Sequence, residues 1–179
     1  MRLVLALSFL FITFSAFAQT NVRTNPLQLL LGVWNADVDF KIHRRWTLGP
    51  TVQLIDRKIE DYEVKAYGIG IRGNYYLNGE VYKQGWYLGP SLSWLSIEVA
   101  DKDTVLAPLT GKSTGFALSA IFGYQWMWEK FNINLGVGPV LYTLSEITLE
   151  DSSGTIEEDY DDSYAGAGMA LEFSLGWKF

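Results

Sequence analysis

Large apolar side chains recur at every second position over most of the chain. Between Gly115 and Trp128, the residues Phe116, Leu118, Ala120, Phe122, Tyr124, Trp126 and Trp128 alternate with Gly, Ala, Ser, Ile, Gln and Met. Successive side chains of an extended chain point to opposite faces, so this alternation predicts one long strand with an apolar face and a small or polar face. The same pattern runs through Trp34–Ile42, Trp46–Leu54, Tyr67–Tyr75, Trp86–Trp94, Phe131–Leu141 and Ala167–Phe179. Every charged residue within these spans falls on the face opposite the large apolar set.

A soluble sandwich or barrel also alternates, but it turns its bulky apolar face inward. Here the apolar sets are large and aromatic, and they oppose a face of Gly, Ser, Ala, Asn and a few charges. That is the inverted arrangement of a barrel dissolved in lipid. Strands of this length also suit a tilted crossing of about 30 Å of hydrocarbon. Short connections at Lys41–Arg45, Asn78–Gln84 and Glu129–Lys130 alternate with long charged ones at Asp56–Glu63, Val99–Lys112 and Ser145–Ser163. Aromatic residues gather beside the short turns and the C-terminus, among them Trp46, Tyr75, Trp86, Trp128, Phe131, Trp177 and Phe179, as a membrane-interface girdle would. The expected fold is therefore all-β, a transmembrane antiparallel up-and-down β-barrel with short periplasmic turns and long extracellular loops.

Seven strands are plain, and a barrel that starts and ends on one side needs an even number. Val22–Leu31, joined at Gly32 to Trp34, supplies the expected eighth strand, although its alternation is poor. The competing reading makes this segment a lumenal thread or a short helix. Ahead of it, Met1–Ala18 combines a basic start at Arg2, an apolar run and a small-x-small ending at Ala16-Phe17-Ala18. These features predict a secretory signal peptide over residues 1–18, with the barrel domain occupying 19–179. Gly-Pro recurs at Gly49-Pro50, Gly89-Pro90 and Gly138-Pro139, each at a similar depth in a strand leaving a short turn. Inherited hairpin duplication is the expected cause, and a shared bend or bulge the alternative.

The chain ends Glu172-Phe173-Ser174-Leu175-Gly176-Trp177-Lys178-Phe179, with aromatics at the third-last and last positions. This segment looks like the sorting signal read by the barrel assembly machinery, with Trp177 and Phe179 as its aromatic positions and Ser174 standing where that pattern usually has Gly. Together with the strand pattern, it makes the chain resemble the small OmpA/OmpX-like outer-membrane β-barrels of Gram-negative bacteria. The resemblance implies residence in the cell outer membrane, contact with its lipid and lipopolysaccharide, and engagement of the assembly machinery. Several barrels of this kind are enzymes acting on lipids, which would require a nucleophile and base within hydrogen-bond reach. The sole histidine, His43, lies in the turn His43-Arg44-Arg45 with no Ser beside it, so no enzyme is expected.

Other chemistry is sparse. Gly68-Ile69-Gly70-Ile71-Arg72-Gly73 satisfies G-x-G-x-x-G, but it lies inside a strand and opens no helix, as a dinucleotide site would require. Asp37, Asp39, Lys41, Arg72, Glu172 and Lys178 are the charges on the lumen face. In an eight-stranded barrel, whose interior side chains can fill, Asp37, Asp39, Arg72 and Glu172 read as a salt-bridged core network; an ion-selective constriction is the sharper alternative. Ser145–Ser163 carries eight carboxylates and no Lys or Arg. It reads as a solvated loop, with weak capture of divalent cations as the alternative.

Composition closes off several classes. The chain has 179 residues, no Cys and one His, so thiolate metal sites, disulfides and Cys nucleophiles are excluded. A hydrophobic fraction of 49% excludes disorder, and a net charge of -6 disfavours nucleic acid. No cofactor is expected. The functional expectation is a monomeric, porin-like outer-membrane barrel with a structural or surface-interaction role; a narrow channel for ions or small solutes is the alternative, and a lipid-modifying enzyme the second.

Overall fold

The computed structural model describes residues 19–30, 32–59, 62–101, 110–145, 148–151, 154–156 and 164–179. The expected signal peptide at 1–18 lies outside the described residues. The elements are β1 (Thr20–Thr24), α1 (Pro26–Leu30), β2 (Val33–Lys41), β3 (Trp46–Ile59), β4 (Tyr62–Tyr76), β5 (Gly85–Asp101), β6 (Thr110–Trp128), β7 (Phe131–Leu144), β8 (Thr148–Asp151), β9 (Gly154–Ile156) and β10 (Tyr164–Lys178). Strands β1 to β7 pair with their sequence neighbours, β10 pairs with β7, and β1 joins β10, all antiparallel. The result is a closed up-and-down barrel of eight strands. The short hairpin β8–β9 extends this wall by pairing with Thr110–Lys112 at the long-loop end.

The first strand departs from expectation. Instead of a strand over Val22–Leu31, β1 stops at Thr24 and α1 begins at Pro26. Proline has no amide hydrogen to extend a ladder, yet it suits the first turn of a helix. Asn25 caps that turn: its Oδ1 accepts from the Gln28 amide at 3.1 Å. Gly32, with φ of 75°, then turns the chain into β2. Because β1 is short, its pairing ends at Arg23↔Asp37 on one side and Thr24↔Leu175 on the other. Above this level α1 packs against both β2 and β10, completing the wall on the long-loop side.

The core is inverted relative to a soluble protein. Asn21, Arg23, Asp39, Thr47, Asn74, Gln125, Asn132 and Asn134 are buried inside, whereas Trp34, Ile69, Leu92, Phe116, Leu118, Leu141 and Leu171 are exposed outside. The aromatic residues near the short-turn end stack against one another on this outer face, as in Trp46–Tyr75 at 4.8 Å and Trp86–Phe122 at 5.0 Å. Inside that end, the turn between β4 and β5 folds back into the barrel. Val81 and Tyr82 are buried beside Tyr76, and the Tyr82 hydroxyl donates to the Asp39 carbonyl at 2.8 Å. Apolar packing thus stoppers the short-turn mouth.

Each Gly-Pro pair marks a shared local feature. Pro50 faces β2 where pairing skips from Asp37↔Thr51 to Phe40↔Leu48; Pro90 and Pro139 coincide with equivalent skips against β4 and β6. On its other edge each proline remains in register, opposite Ile71, Ala120 and Met169 respectively. No residue is inserted, so these are interruptions of the ladder rather than bulges, placed where proline's missing donor is tolerated. The neighbouring backbone closes in at two of them: a Cβ on Gly49 would lie 1.6 Å from the Val38 carbonyl oxygen, and one on Gly138 would lie 1.9 Å from that of Ala120. A local steric requirement for Gly therefore accompanies the repeat.

Candidate functional site: the ionic lumen

The four charged residues expected to form the core network converge, and a fifth joins them. Arg23 of β1 lies at the centre, 2% exposed. Its Nε is 2.8 Å from Asp39 Oδ2, its Nη2 donates to Asp39 Oδ1 at 3.2 Å, and its Nη1 donates to Glu172 Oε1 at 3.1 Å. Across the barrel, Arg72 of β4 donates through Nη2 to Glu172 Oε2 and through Nε to Asn74 Oδ1. Asp37 of β2 sits between the two guanidinium groups, with its Oδ2 3.7 Å from each. The alternation that turns Asp37, Asp39, Arg72 and Glu172 inward thus links β2 and β10 through Arg23 of the shortest barrel strand, and joins β4 to both through Arg72.

Hydrogen bonds fix this cluster to its surroundings. The Tyr87 hydroxyl donates to Glu172 Oε2 at 2.8 Å, and Ser174 Oγ donates to Glu172 Oε1 at 3.1 Å. Asn74 Nδ2 donates to Asp39 Oδ1 at 3.2 Å. Towards the short turns an amide layer follows, in which Asn132 Nδ2 donates to Asn21 Oδ1 at 2.7 Å and Asn134 Nδ2 to Asn132 Oδ1 at 2.9 Å. Charged groups removed from water are tolerable only when paired and hydrogen-bonded in this way. Chemically the cluster is a set of mutually engaged carboxylates and guanidinium groups; its immediate capacity is to hold the wall together and to present charge to the space above.

That space is a cavity of about 440 Å³ on the long-loop side of the cluster. Asp37, Arg72 and Glu172 are its charged lining. Ser91 and Ser119, whose Oγ atoms are 2.7 Å apart, contribute polar wall. Farther along β5 and β7 the lining becomes apolar, with Leu95, Ile97, Val140 and Leu144.

The remaining expected residues stand apart from this site. Lys41 is at the short-turn rim, where its Nζ donates to Gln19 Oε1 at 3.3 Å, and Lys178 is near the same rim. His43 is exposed on the β2–β3 turn, which its amide helps close by donating to the Trp46 carbonyl at 3.2 Å. Gly68 and Gly70 lie within β4, not at a helix start. Trp177 and Phe179 are exposed on the outside, and the Phe179 amide donates to the Thr20 carbonyl at 2.8 Å. The side chains of the acidic loop from Glu146 to Asp162 lie outside the described residues. On the β4–β5 turn, the Glu80 carboxyl is held below its ordinary range, first by a hydrogen bond from Lys83 and then by the charges of Lys83 and Arg44.

Arg23 is the residue that pattern reading missed. The signal was present: Asn21 and Arg23 alternate with Val22 and Thr24, in phase with the lumen face. Reading one strand through Asn25-Pro26 obscured it, because the alternation ends there.

Fold and site together define a class, a closed eight-stranded barrel with a salt-bridged polar interior and an apolar exterior. Within it, the chain belongs to the family described as "Protein of unknown function (DUF3575)", which matches residues 3–179. No curated protein and no solved structure matches the chain.

Proposed function

We propose that the protein is an integral outer-membrane barrel with a structural or surface-interaction role, monomeric and free of catalytic function, whose lumen is closed to ions. The observation that carries this reading is the disposition of the two faces. Large apolar residues cover the outside from Trp34 to Leu171, and charged and amide groups fill the inside. Water would not favour an exterior of that kind, whereas lipid would. The OmpA/OmpX-like character of the C-terminal segment supports assembly by the barrel machinery through Trp177 and Phe179. In this setting the partners are membrane lipid and lipopolysaccharide, with weak divalent cations at the acidic loop.

Closure of the lumen rests on two layers in series, the stopper of Val81 and Tyr82 and the Arg23 cluster above it. Planar-bilayer recording of the refolded protein tests this function. The expected trace has no discrete conductance steps. Reproducible steps whose ion selectivity changes in Arg72→Gln would instead establish the channel alternative.

A further inference from the structure

We propose that the cavity above the ionic cluster is a binding site for an organic amine, a cation carrying an apolar body. The cluster holds Arg23 and Arg72 against Asp37, Asp39 and Glu172, which leaves one negative charge in excess. The excess is localised by hydrogen bonding. Asp39 and Glu172 are each held by several donors, whereas Asp37 makes only the two 3.7 Å approaches, both through Oδ2. Its Oδ1 has no hydrogen bond to any described residue and belongs to a side chain that lines the cavity. Arg72, the one cation on the cavity wall among the described residues, already donates to Glu172 and Asn74. A carboxylate with an unused oxygen, in surroundings of net negative charge, recognises a positively charged donor.

The walls select the rest of the ligand. Leu95, Ile97, Val140 and Leu144 form an apolar side of the cavity running from the charged floor towards the long loops, opposite the amides of Gln28, Asn35 and Gln53. A volume of about 440 Å³ falls within the range of small-molecule pockets, and apolar wall combined with placed polar groups is their usual chemistry. One edge of the cavity also reaches Leu171, which is 75% exposed on the outer face. Leu171 lies where β1 has ended and α1 packs between β2 and β10, so this side of the cavity is bounded by the helix.

The sequence contains no cysteine, so a single reporter thiol can be placed in the cavity. Ser93→Cys, in the full chain refolded in detergent, is reacted with a maleimide in the presence of hexylamine, hexanoate or hexanol. Hexylamine is expected to slow the labelling in a saturable way, and the other two to leave it unchanged at equal concentration. Adding Asp37→Asn should weaken protection by hexylamine about ten-fold or more, the effect of losing a charge-assisted hydrogen bond. Adding Val140→Phe, which keeps Asp37 and fills the apolar side of the cavity, should abolish protection. Equal protection by all three compounds, preferential protection by hexanoate, or protection by none would each overturn the proposal. The three-compound comparison needs only the reporter variant, so it remains decisive if Asp37→Asn does not fold. It is made in detergent, so its result is separate from residence in the outer membrane.

Discussion

Replacing Arg23 with Met tests whether the ionic cluster holds the barrel closed. The substitution keeps an unbranched side chain but removes the Arg23 guanidinium from Asp39, Asp37 and Glu172; Arg72 still faces Asp37 and Glu172, whereas Asp39 loses its ion-pair partner. Asp39 and Glu172 are 1% and 6% exposed, so neither can regain water without opening the wall. Breaking a buried ion pair by deleting one partner costs about 3–5 kcal/mol, a large part of the roughly 5–15 kcal/mol that stabilises an ordinary domain. The cost should concentrate on β1, whose five residues join β2 to β10. Urea unfolding of the protein refolded in liposomes, followed by tryptophan fluorescence, measures the loss. Asp39→Asn on top of Arg23→Met should recover part of it, with a coupling of about 0.5–3 kcal/mol. A loss below about 1 kcal/mol for Arg23→Met, the scale of an exposed pair, would refute the reasoning.

Further outcomes follow from the two faces and the turns. Leu118→Arg should cost about 2–4 kcal/mol near the middle of the hydrocarbon, while Ser119→Arg should cost less because Ser119 borders the cavity; the opposite ranking in the same unfolding assay would mean that the register is wrong. Gly138→Ala should destabilise by about 1–3 kcal/mol because the added methyl meets backbone. Gly168→Ala, whose nearest neighbour would be 3.6 Å away, should be far milder; urea midpoints compare the two. Glu80 contributes stability above its ordinary value of 4.5 that is lost as pH falls through its lowered folded value, so acid should narrow the difference between wild type and Glu80→Gln in urea midpoint, and high salt should erase it.

The barrel was legible because its signal repeats. Alternation in Gly115–Trp128 or Phe131–Leu141 assigns faces without knowledge of neighbouring strands, and the structure keeps those faces. Closure was harder to read, since it depends on β1, where five residues carry the strand pattern before Pro26 starts a helix. The inward folding of Val81 and Tyr82 was hidden for a different reason. Asn78–Gln84 has the composition of a solvated turn, and long-range bonds such as the Val81 amide to the Arg44 carbonyl at 2.9 Å, the Tyr82 hydroxyl to the Asp39 carbonyl and the Gln125 side-chain amide to the Lys83 carbonyl draw it under the barrel. The charged members of the site were identifiable from register. Their arrangement was not, because it converges on Arg23 from strands far apart in sequence. The Gly-Pro repeat was visible as a pattern, while its steric cause required the neighbouring strand.

In the proposed membrane barrel the apolar exterior faces lipid and the polar interior does not. Single cysteines at Leu118 and Ser119, carrying an environment-sensitive fluorophore in the protein refolded into bilayers, can be exposed to brominated lipid chains. The expected result is strong quenching at 118 and little at 119, with the alternation repeated at Leu141 and Val140. Equal quenching on both faces, or no quenching at 118, would contradict the membrane barrel.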